Sequence, residues 1–517
     1  MKYFHKDRII NKILEILPGF LTWIFLLSPL ILGHFYPDII VFVLTFLTIY
    51  WAYKVINGVL AIFNGYRKYK EETAIDWYEK LQKLDYEKLP NREELPESLD
   101  KLKHLVLIPI YAESLEILRD SFESIANSSI PKENLLLVYG IEEKHSQRVI
   151  GDVNMIKLEL DAKREIETMY FVHPQGIPGE VTGVAGPNRD YAARHAVNEL
   201  YNRGENINNY IFTTFDSDTR IHEHFFARIE FLYLTDLKRK NHFYETAVHV
   251  FDNNTWKVPI INRIAADGIT IALLASWSAL NWPTTTERMD TFSCYSCALT
   301  TAIKADFWDP SVGIDDSVFY WRAYKALEGD FEGIPFFLPI HLDAAEGKGY
   351  VASHLSLYKQ QLRWGWGVIT FPMSLLILPK AKKAELFDRL SHMWVKFELF
   401  ILFRVLAFLL IFGFTLLTLV NKNVGQVNYA YSIPKINSLL LTLTLLGLLP
   451  VYFVRNKLKK PMPKDWNILK KIFLTLCEVP LLYVNFLTFG FIPWLEAQTK
   501  LMLGKKYKSL YYTPKFR

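Results

Sequence analysis

Three short motifs hold the side chains best suited to chemistry. The first is Asp216-Ser217-Asp218, which follows the apolar run Tyr210 to Phe215. Two carboxylates one residue apart at a strand end can coordinate a divalent cation and the diphosphate oxygens it neutralises. A D-x-D pair is common by chance, and its place at the carboxyl end of a strand is what gives it weight. The second is Asp315-Asp316, after Gly313-Ile314. One carboxylate set against an acceptor hydroxyl would be a general base, with its neighbour raising its pKa. The same pair also reads as the N-cap of a helix from Ser317 to Leu327. The third is Gln360-Gln361-Leu362-Arg363-Trp364. Arginine offers a fork of donors to phosphate oxygens and tryptophan a flat face for a sugar ring. An interfacial amphipathic helix is the competing reading, with Trp364, Trp366 and Phe371 as its aromatic belt. Cys294 and Cys297 form a C-x-x-C, but without a second ligand pair they make a poor case for zinc or redox chemistry. The loop from His173 through Gly176 to Glu180 reads as either a donor-side loop or a structural turn.

Elements able to position these motifs can be read from periodicity. Short apolar runs at Leu105 to Ile108, closed by Pro109, then at Leu135 to Tyr139, Tyr170 to Val172 and Tyr210 to Phe215, alternate with helical patterns such as Leu115 to Ile125 and Tyr191 to Tyr201. Alternating strands and helices predict an α/β domain with a mainly parallel sheet. The chain has 517 residues, 50% of them hydrophobic and 15% aromatic, which is rich for a soluble enzyme of this length. The excess is concentrated. Ile16 to Leu32 and Ile39 to Tyr53, the latter continuing past a snorkelling Lys54 to Phe63, form an N-terminal hairpin of roughly the length two spans require. Val405 to Val420 and Leu439 to Val454 are two further spans, and Ile472 to Ile492 is a segment interrupted by Glu478 and Pro480 that either crosses or lies at the interface. Ile269 to Leu280 is too short to cross and is expected to pack on the domain or at the interface.

Lys2, Lys6, Arg8 and Lys12 precede the hairpin and Arg67, Lys68 and Lys70 follow it, so both ends point to the cytoplasm. The expected layout is a hairpin over 1–70, a cytoplasmic catalytic domain over 71–345, interfacial helices over 346–392 and a C-terminal membrane region with a basic tail over 393–517. This predicts a multi-pass protein of the cell membrane in contact with lipid. The net charge of +5 is accounted for by the membrane flanks and by a tail with Lys500, Lys505, Lys506, Lys508, Lys515 and Arg517, so no nucleic-acid partner is expected. Three cysteines fit a reducing compartment and exclude a disulfide framework.

In this order, the opening stretch Ile108-Pro109-Ile110-Tyr111-Ala112-Glu113, the D-x-D, the acidic pair ending at Asp316 and the Q-x-x-R-W at Gln360, Arg363 and Trp364 resemble membrane-bound glycosyltransferase family 2, the group of cellulose, chitin and hyaluronan synthases. The similarity covers roughly Leu105 to Trp364. It implies a glycosyltransferase A-type fold flanked by transmembrane helices, a UDP-sugar donor, Mg2+ or Mn2+ at Asp216 and Asp218, and inverting transfer. Asp316 would be the base beside Asp315. Pro109, Tyr111, Glu113, Asn188, Gln360 and Arg363 would line the donor and its diphosphate, and Trp364, Cys294 and Tyr295 would meet the acceptor. The chain departs from the pattern at three points. Glu142 follows β-like Val138-Tyr139 where an aspartate usually holds the base, so either it takes that role or the base is held differently. Ala112 replaces an asparagine, and a usual lysine is missing near Gly186-Pro187-Asn188, leaving Arg189 or Arg194 to supply positive charge. The resemblance implies transfer to a growing polysaccharide or glycan; single-sugar transfer to a lipid-linked acceptor and a catalytically silent scaffold are the alternatives. A transporter is excluded by the length of the polar middle.

Overall fold

β-rich apolar runs separated by amphipathic helices produce the central sheet of the computed structural model, which describes residues 7–161, 163, 165–279, 289–426, 428–505, 507 and 509–516. Lys2, Lys6, Lys506, Lys508 and Arg517, invoked above for charge, and Leu280 lie outside the described residues. The strands are β1 (Lys103–Ile110), β2 (Leu135–Glu142), β3 (Glu167–His173), β4 (Tyr210–Thr214), β5 (Arg220–Ile221), β6 (His242–Thr246), β7 (His249–Val250), β8 (Tyr295–Ala298), β9 (Glu332–Phe336) and β10 (Ile340–His341). Seven form one sheet in the order β3-β2-β1-β4-β8-β6-β9, and β5, β10 and β7 form a small second sheet. Within the large sheet only β8 runs antiparallel to its neighbours β4 and β6; the other pairings are parallel. The sheet is buried on both faces, as continuous apolar strands require.

One boundary differs from the sequence reading. Pro109 does not close β1; the strand continues to Ile110, with Pro109 opposite Gly140. The Leu107 carbonyl accepts from Phe215 N at 3.0 Å, so alternate residues 107 and 109 face β4. Because the β4 register ends at Leu107, the missing proline N–H falls where β1 has no partner on that side.

Among the described residues, five helices are long and apolar enough to cross a membrane: Arg8–Phe35, Pro37–Thr73, Leu386–Val420, Ser432–Leu458 and Ile468–Met502. Their outer faces leave large apolar side chains bare, such as Phe42 at 71% and Leu476 at 68% exposure, a surface that water alone would not tolerate. The 37-residue helix Pro37–Thr73, about 55 Å long, reaches beyond the apolar zone into the α/β domain. There Glu72 pairs with Arg228 at 2.7 Å and accepts from Phe337 N at 2.8 Å, so hairpin and sheet are bolted together. Lys54 does not snorkel outward; it turns into the bundle and pairs with buried Glu398 at 2.8 Å. The doubtful last segment is a helix Ile468–Leu487 followed, after a turn, by Ile492–Met502. Its Glu478 is buried against Arg455 at 2.5 Å. The helix Ile260–Ser276 packs on the domain beside the hairpin, as expected of a segment too short to cross.

Candidate active site

Parallel strands bring their carboxyl ends to one edge. β1 delivers Tyr111 and Glu113, β2 delivers Glu142, and β4 delivers Asp216 and Asp218. Antiparallel β8 places its start at the same edge, with Tyr295 opposite Thr214, which brings in Cys294. The helix Asp315–Ala326 begins there too. Its N-cap position is Ile314, which makes no side-chain cap bond, so the two aspartates are not capping residues as one reading had it. Both turn instead to a guanidinium.

That guanidinium belongs to Arg189, on the helix Gly186–Asn202, with 1% of its side chain exposed. It donates to Asp315 Oδ2 at 2.7 Å, Asp316 Oδ1 at 2.6 Å and Asp216 Oδ1 at 2.7 Å. Of the two arginines considered from sequence, Arg194 lies outside this set, bound to Asp190 and Asp306 at 2.8 and 2.7 Å. Burial opposes the charge of Arg189, but Asp316, Asp315 and Asp216 outweigh it and raise its pKa. Desolvation is also the largest influence on Asp316: 24% of its side chain is open, yet the protein around the carboxyl, with Asp315 and Asp216 beside it, pushes its pKa up to about 8 against the pull of Arg189 and Arg363. Desolvation likewise raises Asp216, with Arg189 and Lys515 opposing it.

Asp218 accepts from the Asp343 backbone N at 2.8 Å and forms an ion pair with Lys515. Glu113 accepts from Tyr111 N at 2.8 Å and from the Tyr512 hydroxyl at 2.8 Å. Arg363, on the helix Tyr350–Gly365, forms no ion pair of its own among the described residues, although Asp315, Asp216 and Asp316 act on its charge. Burial is the main reason its pKa is lowered. Gln360 and Trp364 line a small cavity with Asp343, Asn262 and Phe251. Trp364 lies edge-on to Phe292 at 6.5 Å. Trp366 and Phe371 are buried inside the protein at 3% and 5% exposure, which is not where an interfacial belt would put them.

Other sequence candidates take structural positions. Asn188 donates to the carbonyls of Gly140 at 2.8 Å and Ile110 at 3.3 Å, tying the ends of β2 and β1 together. A Cβ on Gly140 would stand 2.5 Å from its side-chain oxygen. Glu142 lies 3.3 Å from His173, whose other ring nitrogen meets Glu180 at 2.9 Å. Burial would lower the His173 pKa, but these two glutamates reverse the shift and raise it. Tyr295 is fully buried and its hydroxyl accepts from Trp308 Nε1 at 3.0 Å. Cys294 is buried beside Glu245, a fully buried β6 carboxyl whose pKa burial raises well above the usual range. Glu245 and the tail residue Tyr512 went unnoticed in the sequence, and Lys515 was read there only as one charge of a basic tail. Glu245 had a signal, an acidic residue within an apolar strand pattern; the tail had none that said where it docks.

Among the described residues, no group of three or more His, Cys, Asp or Glu side chains is arranged as a metal centre. The chemistry of the donor set still suits a hard cation, which commonly takes one or two carboxylates and completes its shell with substrate phosphate and water.

No family model matches the chain, and no curated protein does. Among solved structures it is similar to a mannosyltransferase from Pyrobaculum calidifontis in complex with GDP-Man and Mn2+, at 11% identity over 90% of this chain and 100% of that one, with a TM-score of 0.42. It is also similar to residues 1–349 of S. aureus TarS in complex with UDP-GlcNAc, at 11% identity over 65% of this chain and 89% of that one, with a TM-score of 0.36.

Proposed function

We propose that this chain is a multi-pass membrane glycosyltransferase with an A-type nucleotide-sugar domain, inverting in mechanism, its site on the cytoplasmic face. The observation that carries the reading is the meeting of Asp216, Asp315 and Asp316 on Arg189 at the carboxyl edge of the sheet, with Arg363 close by. Asp316 takes the proton of an acceptor hydroxyl, whose oxygen attacks the anomeric carbon as the bond to the nucleoside diphosphate breaks. Arg363 receives charge developing on the leaving diphosphate. Asp218, with Asp216, would hold Mg2+ or Mn2+, which supplies further neutralisation of that charge. Tyr111 and Glu113 face the nucleoside, and Trp364, edge-on to Phe292, faces the acceptor, with the buried Cys294 packing behind that stretch.

The acceptor is a growing glycan or a lipid-linked sugar. The helix carrying Gln361, Arg363 and Trp364 supports an acceptor approaching along the membrane region, since Gln361 accepts from Trp494 Nε1 at 3.1 Å on the final apolar helix. The test is a panel of UDP- and GDP-sugars with purified protein and Mg2+ or Mn2+, followed by nucleotide release and product length. Donor-specific release that Asp316→Asn abolishes is the expected result. Silence with every donor, or equal release by the variant, overturns the reading.

A further inference from the structure

Where the membrane helices meet the Q-x-x-R-W helix, one arginine has no partner of opposite charge. Arg404 opens the helix Phe403–Val420, whose 18 residues rise about 27 Å, close to the roughly 30 Å of a bilayer's hydrocarbon. At the head of a spanning helix of that length, Arg404 comes at the height of the lipid phosphates. Its guanidinium carbon stands 3.4 Å from the centre of the Trp494 ring, and its Nε is sealed from solvent without a hydrogen-bond partner. The guanidinium forms no hydrogen bond or ion pair among the described residues, and none of their carboxylates acts on its charge. The nearest acid along the chain, Glu398, is taken by Lys54 and Tyr50. A π turn, Glu398–Leu402, separates the two and shifts Arg404 off the face that Glu398 occupies, an interruption found mostly at functional sites. Beyond Arg404, Phe408, Ile411, Phe412 and Leu419 continue its side of the helix at helical spacing. Phe408 stacks on Phe491, and the other three are exposed.

We propose that Arg404 holds the phosphate of a membrane lipid whose hydrocarbon runs along Phe408, Ile411, Phe412 and Leu419, and that this lipid carries the acceptor. The second half of that statement rests on the proposed function. A guanidinium stacked on an indole keeps its edge N–H groups for a planar fork of acceptors, which is what phosphate oxygens offer. Left unpaired in so dry a place, the charge opposes folding, and the aromatic contact offsets only part of that cost. A phosphate supplies the missing anion. The link to the acceptor is Trp494. Its Nε1 donates to Gln361 at 3.1 Å, and Gln361 lies one turn before Trp364 on the same helix face. A Cβ on Gly365 would stand 2.9 Å from Ala497 and 3.2 Å from the Trp494 Cα, so the two helices touch directly. One indole therefore contacts both the unpaired guanidinium and the helix that presents Trp364. An ordinary phospholipid elsewhere around the bundle has no such connection to the site.

The test titrates full-length protein in dodecyl maltoside, without donor, with polyprenyl phosphate, uncharged polyprenol and phosphatidylglycerol, and reads binding by native mass spectrometry. Arg404→Met is expected to weaken polyprenyl phosphate binding about 10- to 100-fold, as loss of a hydrogen bond between charged groups does, and to leave polyprenol binding unchanged. Arg404→Lys should fall between, since it keeps the charge and loses the fork. The denaturant midpoint of Arg404→Met is expected to equal or exceed that of the wild type, because an unpaired charge has been removed. A lower midpoint would make Arg404 a structural prop and overturn the proposal. So would equal polyprenyl phosphate binding by wild type and Arg404→Met. Phosphatidylglycerol that binds as tightly as polyprenyl phosphate and weakens alongside it would also overturn it, since Arg404 would then hold bulk lipid. Loss of polyprenyl phosphate in Arg404→Met with no turnover from any donor would keep the lipid site and remove the transferase reading. Turnover that Asp316→Asn abolishes, with normal lipid binding by Arg404→Met, would do the reverse.

Discussion

Arg189 and Arg455 each stand at the centre of buried charge, and the two clusters are built on opposite accounts of balance. Around Arg455, where the last long helix meets Ile260–Ser276, Glu478 lies at 2.5 Å and Asp267 at 3.3 Å, and Lys459 joins Asp267 at 2.9 Å. Two cations are ion-paired with two carboxylates, and the buried Arg263 adds a third positive charge near both of them. Around Arg189 one guanidinium meets three carboxylates, with Asp218 next in line and bound to a lysine from a distant part of the chain. A cluster in which every carboxylate has its own cation fixes one element against another. An acidic excess held together by one buried arginine is left to be completed by something cationic, and its strain shows in the raised pKa of Asp316.

Substitutions that treat the clusters alike should separate them. The largest effect is expected from Asp316→Asn, which should lower turnover about 10²- to 10⁴-fold, as loss of a general base does, while thermal unfolding shows an intact fold. The matching change Glu478→Gln should leave turnover within a few-fold; a collapse there would mean that the second cluster is also part of the chemistry. Next comes Arg189→Met, expected to cost about 3–5 kcal/mol by leaving buried carboxylates without their cation, measured by denaturant unfolding in detergent. Arg455→Met should cost a comparable amount yet spare the chemistry, so equal stability losses with unequal activities would sharpen the contrast.

The pH dependence follows from the same difference. With its pKa raised to about 8, Asp316 is protonated below that value, so kcat/KM should climb as pH rises and level off above about 8. The apparent value belongs to the interacting carboxylates together. For stability the sign is opposite. A folded-state pKa above the unfolded value near 3.8 favours the fold fully at low pH, and that contribution is lost as pH rises from about 4 to about 8. Asp316→Asn, which stays neutral, should therefore lose less stability over this range than the wild type. The smallest effect is expected from Asn188→Ala, which removes two hydrogen bonds to strand-end carbonyls at about 1–3 kcal/mol. Donor KM should stay unchanged, because the amide is already committed to Ile110 and Gly140.

Much of the sheet was legible because parallel strands buried on both faces are continuous apolar runs. β1, β2, β3 and β4 lie where those runs predicted, each longer or shorter by a few residues at its ends. The error at Pro109 arose because a proline stops a strand only when its nitrogen faces a partner, and which way it faces depends on where β4 ends. β8 escaped notice as an antiparallel strand, since Tyr295-Ser296-Cys297-Ala298 is too short to show a period. Arg189 was one of two candidates, and sequence could not choose between residues five apart on one helix; packing did, turning Arg189 to the sheet and Arg194 to the surface.

By itself the sequence determined what local pattern and composition can encode: strand and helix alternation, apolar segments of spanning length, and carboxylates at strand ends in a fixed order. These depend on neighbours a few residues away. Tertiary structure alone decided which charges meet. It joined Arg189 to Asp216, Asp315 and Asp316, turned Lys54 inward to Glu398, and laid Lys515 on Asp218, 297 positions earlier in the chain. Coulomb energy and desolvation depend on distance and burial in space, and neither is written in the order of residues along a chain.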